Sequence, residues 1–234
     1  MKVLITGGAG HVGSILRSAL EVHHECFYLD LRPVPGAEDR TVLGDITDEK
    51  TVQRAVQGME AAIQLVMANP AVPENLISRS YDVHVKGMHV LLDAAVRAGV
   101  RRIIYASSMS VYQNAAQYRA SEEEPPDATD IYGLTKRLGE EVCRAFARRH
   151  PELSILALRM VLPQTEAQWR EHLQRGTRTD FMTGPNDLRR LYLAALALEG
   201  HRGFDAVQAC SDLSGRHLNM EKARRLLGWE PRGE

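Results

Sequence analysis

Short apolar runs alternate with longer amphipathic stretches along this chain, which predicts a parallel sheet wrapped by helices. Val3-Leu4-Ile5 reads as a first buried strand. After a glycine-rich turn, apolar residues recur at Val12, Ile15, Leu16, Ala19 and Leu20, the spacing of one helix face. Cys26 to Leu29 reads as a second strand that ends on an acid, Asp30, and residues 32–40, with two prolines and a glycine, as a loop. Thr41-Val42-Leu43 is a short third strand, after which Thr47 or Asp48 caps a helix running to Val56. A fourth strand is expected over Ala61 to Met67. Pro70 and Pro73 break the chain before one long helix, from about Glu74 to Ala98, stopped by Gly99. Arg102 to Ala106 is the fifth strand and runs into Ser107-Ser108-Met109-Ser110. The acidic, proline-containing stretch 122–127 reads as a solvated surface loop rather than a metal site. A helix follows from Tyr132 to Arg149, then a sixth strand over Leu153 to Leu158. Beyond Pro163 the pattern weakens to a helix over Asp187 to Leu198, a further strand over Phe204 to Cys210 and a last helix over Met220 to Leu227. Gly228 and Pro231 mark its stop.

Composition narrows the class. The 234 residues make one large domain, and 44% hydrophobic against 25% charged residues suffice for a packed core. Twenty-nine basic against 30 acidic residues leave a formal charge of −1, which argues against nucleic acid or an anionic membrane as partner. No apolar run is long enough to span a bilayer, and the N-terminus carries no signal-peptide pattern. Cys26, Cys143 and Cys210 are scattered and odd in number, so neither a disulfide framework nor a cysteine zinc site is expected. The histidines form no metal-ligand spacing, and no metal is expected. The protein is expected to be cytoplasmic.

The chemistry begins at Thr6-Gly7-Gly8-Ala9-Gly10-His11-Val12-Gly13, which lies between the first strand and the first helix. Gly7 permits the tight turn, Gly10 lets the backbone approach a pyrophosphate, and Gly13 allows close helix–strand packing. The phosphates would sit at the helix N-terminus, where free N–H groups and the helix dipole favour negative charge. Asp30 stands seventeen residues past Gly13, where a carboxylate accepts hydrogen bonds from an adenosine ribose and repels a 2′-phosphate. NAD is therefore expected over NADP, although Arg32 nearby can accommodate a phosphate. Asp45-Ile46 falls where an adenine edge would be read, and Asp45 serves equally well as a helix cap. These features give the expected fold class: α/β, a Rossmann-type doubly wound parallel sheet in one domain. Its cofactor part extends to about residue 160, and a short C-terminal substrate-binding elaboration covers about 161–234. Downstream, Tyr132 and Lys136 stand four apart at a helix start and so share a face. An ammonium there would lower the phenol from its ordinary value of about 10 towards neutrality, making it a usable acid/base. Ser107-Ser108 could share the substrate oxygen with it.

These stretches, together with Ser107-Ser-Met-Ser-Val-Tyr112, Leu158-Arg159 and the closing Leu227-Gly-Trp-Glu-Pro231, resemble an extended short-chain dehydrogenase/reductase of the NAD-dependent epimerase/dehydratase family. The resemblance covers nearly the whole chain. It implies Ser108, Tyr132 and Lys136 as catalytic residues, with Tyr132 the acid/base and Lys136 holding the nicotinamide ribose. It implies a cofactor site built from Gly7, Gly10, His11, Val12, Gly13, Asp30, Arg32, Asp45, Ile46, Leu65, Val66, Met67, His84, Tyr132, Lys136 and Met160. The chain departs from the family pattern at several points. His84 stands where asparagine is usual, Gln64-Leu-Val-Met67 replaces His-Leu-Ala-Ala, and Arg159-Met-Val-Leu-Pro163 replaces Arg-Pro-x-Asn-Val. Only 98 residues follow Lys136, a tail as short as that of the small uronate dehydrogenases. Arg170, Arg175 and Arg178 offer cations for a carboxylate, with Arg178 the expected clamp, or else lie on solvent. Trp169 reads as a core anchor before a sugar platform.

The resemblance implies an NAD-dependent enzyme that transfers a hydride between NAD and a hydroxyl or ketone of a small sugar-like substrate. A nucleotide-sugar 4-epimerase uses the same parts, and a non-catalytic dinucleotide sensor is the alternative of another class. The family also implies a homodimer through the long fourth helix and the helix after Tyr132, with Val85, Leu92, Leu138 and Val142 as contact candidates.

Overall fold

In the computed structural model, which describes residues 1–69, 71–118 and 121–234, seven parallel strands form one sheet in the order β3-β2-β1-β4-β5-β6-β7. The strands are β1 (Lys2–Thr6), β2 (Glu25–Asp30), β3 (Thr41–Leu43), β4 (Ala61–Gln64), β5 (Arg102–Ser108), β6 (Ser154–Met160) and β7 (Gly203–Ala209). Their apolar runs are buried on both sides, as an all-parallel sheet covered by helices requires. One face packs under α1 (His11–His23) and α7 (Pro185–Ala197), with Ile15, Leu16, Leu20, Leu188, Leu191 and Leu196 in that core. The opposite face packs under α2 (Glu49–Ala55), α4 (Gly87–Ala98) and α5 (Ile131–Arg149), with Val52, Leu91, Leu92 and Cys143 in theirs. Strand order reverses between β1 and β4, and in such sheets a crevice opens at the carboxyl ends of those strands.

Several boundaries differ from expectation for physical reasons. The fourth strand ends at Gln64 rather than Met67: Leu65 N still donates to Thr6 O at 3.0 Å, and the chain then leaves the sheet. The long helix from Glu74 is three pieces, α3 (Leu76–Tyr81), a π turn over Asp82–Lys86, and α4. The wide turn buries Val83 and His84, and Gly87 lies so close to Ile46 that an added Cβ would stand 2.7 Å from its methyl. Pro70, read as a chain break, lies outside the described residues. Asp48 caps α2 by accepting from Lys50 N at 3.2 Å. Asp45 is not a cap; it accepts from Thr47 N and Thr47 Oγ1, both at 2.9 Å, and pairs with Arg79 at 2.8 Å.

The 122–127 stretch is less solvated than its charge suggests. Glu122 is buried, its Oε1 accepting from Gln208 N at 3.1 Å and its carbonyl from Arg159 at 3.0 Å. Past Pro163 the weak pattern hides α6 (Glu166–Gln174), which a Thr165–Gln168 capping box starts. Trp169 is buried, as a core anchor should be. The last helix, α8 (Glu221–Leu227), ends at Gly228 with a left-handed cap. Beyond it the chain returns to α7, where buried Asp187 accepts from Ser211 Oγ at 2.6 Å and pairs with Arg190. The same carboxylate accepts from the backbone N–H groups of Arg232, Gly233 and Glu234 at 2.9, 3.0 and 3.3 Å.

Candidate active site

The crevice at the strand reversal is a cleft of about 870 Å³. Its floor at one end is the turn between β1 and α1. Gly7 there has φ 80°, and an added Cβ at Gly13 would meet the Gly8 carbonyl oxygen at 2.4 Å. The tight turn and close packing read from the glycine spacing are both present. Helix α1 starts with no side-chain cap and no acid in its first turn, and Gly10, His11 and Val12 line the cleft. Such an end offers unpaired N–H groups and a positive dipole to an anion. Asp30 sits beside it at the end of β2. Its Oδ2 accepts from Ala9 N at 3.0 Å and its Oδ1 from Arg32 N at 3.3 Å, while Arg32 donates to Ala9 O at 2.7 Å. An uncapped helix start, a glycine turn and a carboxylate on one wall suit a dinucleotide's pyrophosphate and ribose.

Ser108 and Tyr132 face each other at the other end, with Lys136 one helical turn behind the tyrosine. Alternation along β5 separates the two serines. Both touch the cleft, but the Ser107 hydroxyl donates to Glu140 Oε1 at 2.6 Å, whereas the Ser108 hydroxyl is hydrogen-bonded with Tyr132. Tyr132 stands in the first turn of α5, whose N-cap Asp130 accepts from Tyr132 N at 3.1 Å and Gly133 N at 3.0 Å. Close packing brings the helix to the strand: a Cβ at Gly133 would collide with the Ser110 carbonyl, and one at Gly139 would stand 2.5 Å from the Tyr105 hydroxyl.

The electrostatics correct one expectation. Burial pushes the Tyr132 phenol up from its ordinary value, and the hydrogen bond with Ser108 only partly opposes this. Lys136 does not reach the phenol. Its Nζ donates to Ala106 O at 2.7 Å and lies 5.9 Å from the Tyr132 ring centre. Burial brings Lys136 itself down to about 7, against the pull of Glu140.

The structure brings most of the expected cofactor residues to one cleft. Gly7, Gly10, His11, Val12, Asp30, Arg32, Ile46, Leu65, Val66, Met67, Tyr132, Lys136 and Met160 all line it. Gly13 lies just behind the turn, and Asp45 is turned to Arg79. His84 is fully buried behind Tyr132, with the two rings edge to face at 5.8 Å, and is not on the lining. The expected clamp, Arg178, is also off the lining, its Nη2 held by Asp180 at 2.5 Å with His217 alongside. Arg175 pairs with Glu171 and Arg170 bonds the Glu166 carbonyl, so neither reaches the cleft. The sequence reading missed Arg79, Met109, Leu162 and Phe181, all on the lining. No short motif marks them, because each is delivered by a connection whose path depends on the assembled sheet. Among the described residues no cluster of His, Cys, Asp and Glu forms a metal site, and no helix is long and apolar enough to cross a membrane.

Comparison with known proteins gives the same picture. Residues 3–171 match the profile of the NAD dependent epimerase/dehydratase family. The L-arabinose 1-dehydrogenase (NAD(P)(+)) of Haloferax volcanii is 27% identical over 99% of this chain and 96% of its own length. The NAD-dependent glucose-6-phosphate dehydrogenase of the same organism is 25% identical over 98% and 92%. Among solved structures, the uronate dehydrogenase of Agrobacterium tumefaciens superposes with a TM-score of 0.80 at 22% identity, over 99% of this chain and 84% of its own, a likeness of fold.

Proposed function

Since the chain belongs to the NAD-dependent epimerase/dehydratase family and is an NAD-dependent enzyme of the extended short-chain dehydrogenase/reductase type, we propose that it oxidises a hydroxyl of a small free sugar. The observation that carries this reading is the convergence of Ser108 and Tyr132 on the cleft that the glycine turn and Asp30 also line. When bound, NAD supplies the hydride acceptor. Residues up to about 160 hold it: the α1 N-terminus takes the pyrophosphate and Asp30 the adenosine ribose, which favours NAD over NADP. Residues from about 161 onward shape the substrate end. Ser108 and Tyr132 hold the reacting oxygen by hydrogen bonds, and Tyr132 takes its proton. Lys136, on the cleft lining one turn behind the tyrosine, would hold the nicotinamide ribose.

Two sugar dehydrogenases match by sequence along almost their whole length, which favours oxidation over 4-epimerisation of a nucleotide sugar. Two copies of the chain are proposed to pair through α4 and α5. The three cysteines are buried free thiols, in keeping with a reducing, cytoplasmic setting.

The test joins kinetics to binding. Tyr132→Phe should lower turnover of NAD with the sugar substrate by about 10²–10⁴, the usual worth of a general acid–base step. Calorimetry should find NAD affinity nearly unchanged in that variant, and NAD bound more tightly than NADP by the parent enzyme. Full turnover by Tyr132→Phe would remove the tyrosine from the chemistry, and tighter binding of NADP would remove Asp30 from cofactor selection.

A further inference from the structure

One wall of the cleft runs against two ordinary rules at once. Leu162, just past β6, is the one non-glycine residue among those described with positive φ, at 38°. A Cβ crowds the backbone there, and asparagine or glycine is the usual occupant. Its side chain is also 59% exposed, on the cleft lining. Folding alone rewards neither the backbone nor the exposed leucine. The surroundings nonetheless hold the segment firmly. Gln164 Nε2 donates to Leu162 O at 2.8 Å, Thr183 Oγ1 to Val161 O at 2.8 Å, and His11 Nε2 lies 2.8 Å from Pro163 O across the cleft. Backbone strain kept in place by so many contacts belongs to sites that use it.

The side chains around Leu162 share its character. Met160, Val161, Pro163 and Phe181 continue the wall, and Met109 faces it beside Ser108. The arginines on the lining serve the other end, Arg32 bonded to the glycine turn and Arg79 paired with Asp45. Arg178 is occupied by Asp180 outside the lining.

We infer that Leu162 is a specificity-determining residue and that the sugar it faces is uncharged, a neutral aldose rather than a sugar acid or sugar phosphate. This rests on the dehydrogenase reading above. A sugar ring offers a C–H face to apolar side chains while its hydroxyls reach Ser108 and Tyr132. An ionised group pressed on the Leu162 wall would lose hydration, and the one lysine or arginine of the described lining at that end, Lys136, is buried with its amine turned to Ala106 O.

The experiment follows NADH formation with glucose, glucuronate and glucose 6-phosphate, and with arabinose as a neutral pentose. A neutral sugar should lead by at least about tenfold in kcat/KM, the difference expected from about 1.4 kcal/mol of lost hydration. Leu162→Arg should reverse that order by lowering KM for glucuronate. Leu162→Asn should raise the melting temperature, because asparagine tolerates the backbone, and yet raise KM for the neutral sugar. Opposite signs in stability and KM separate a substrate contact from structural damage. A parent enzyme that reduces NAD best with glucuronate or glucose 6-phosphate overturns the neutral-sugar inference and leaves the dehydrogenase reading standing. No NADH with any of the sugars overturns both. An unchanged KM in Leu162→Asn overturns the role of Leu162.

Discussion

At the scale of single residues, the buried polar groups behind Tyr132 decide how the site titrates. Thr135 Oγ1 donates to Ile131 O at 2.7 Å, so it can only accept from His84, whose Nδ1 lies 2.8 Å away. His84 therefore carries its proton on Nδ1, and burial with Lys136 nearby depresses its pKa to about 2, so it stays neutral. The amine of Lys136 is depressed to about 7 by the same burial. Between about pH 7 and pH 10 the unfolded chain then holds a proton on this amine that the folded chain lacks, so the group makes stability rise with pH across that window. Lys136→Met deletes the titration. Thermal melts in cofactor-free buffer should show the variant's melting temperature exceeding the parent's most at pH 7 and below, with the gap closing towards pH 10. A gap that does not move with pH would mean that Lys136 titrates normally. Sequence alone put Tyr132 and Lys136 on one face because four residues at a helix start are a local spacing, while the choice of Ser108 over Ser107 came only from the family resemblance. It had no means to see that Lys136 would turn to Ala106 O, since that carbonyl is contributed by β5, thirty residues upstream.

Between elements, one buried ion pair ties the sheet to the helix that carries the tyrosine. Arg159 on β6 is fully buried and grips Glu140 of α5 with two bonds, Nε to Oε1 at 2.9 Å and Nη2 to Oε2 at 2.7 Å. Ser107 from β5 donates to the same carboxylate, and Arg159 Nη1 also donates to the Tyr112 hydroxyl at 2.6 Å. Removing the guanidinium leaves buried Glu140 with only the Ser107 hydroxyl and, at 3.5 Å, Arg144 Nη2 as partners, so Arg159→Ala should cost about 3–5 kcal/mol. Arg159→Met with Glu140→Leu should cost much less, because no buried charge is then stranded. Urea denaturation of both variants checks this, and equal losses would show the arginine acting through packing alone. The elements themselves were legible wherever amphipathic period and turn residues agree, as in β1, α1, β5 and α5. The π turn was not, because its extra residue is accommodated by packing against α5 and Ile46 rather than marked by a breaker. Helix α6 was missed because its nine residues bury only Trp169, which leaves almost no apolar stripe to count.

For the whole molecule, the proposed dimer turns on what α3, α4 and α5 leave uncovered. Leu92, a candidate for the contact, is fully buried in the core of its own chain. Val85, Leu138 and Val142 are only half-buried, and Ile77 and Tyr81 of α3 are exposed at 67% and 40%. An apolar strip of this kind along adjacent helices suits a two-fold contact. Sedimentation at micromolar concentration should give a mass near twice 26.1 kDa, and Val142→Glu should return it to that of one chain. A single-chain mass for the parent would end the proposal. The carboxylate of Asp187 adds a matter of timing. Its backbone donors at Arg232, Gly233 and Glu234 lie 45 to 47 residues downstream. A ribosome adding about 5–20 residues per second makes them only after a delay on the order of seconds. Throughout that interval the nascent chain holds the start of α7 with its acid unsealed. These three donors therefore reach the start of α7 well after the glycine turn between β1 and α1 has been made.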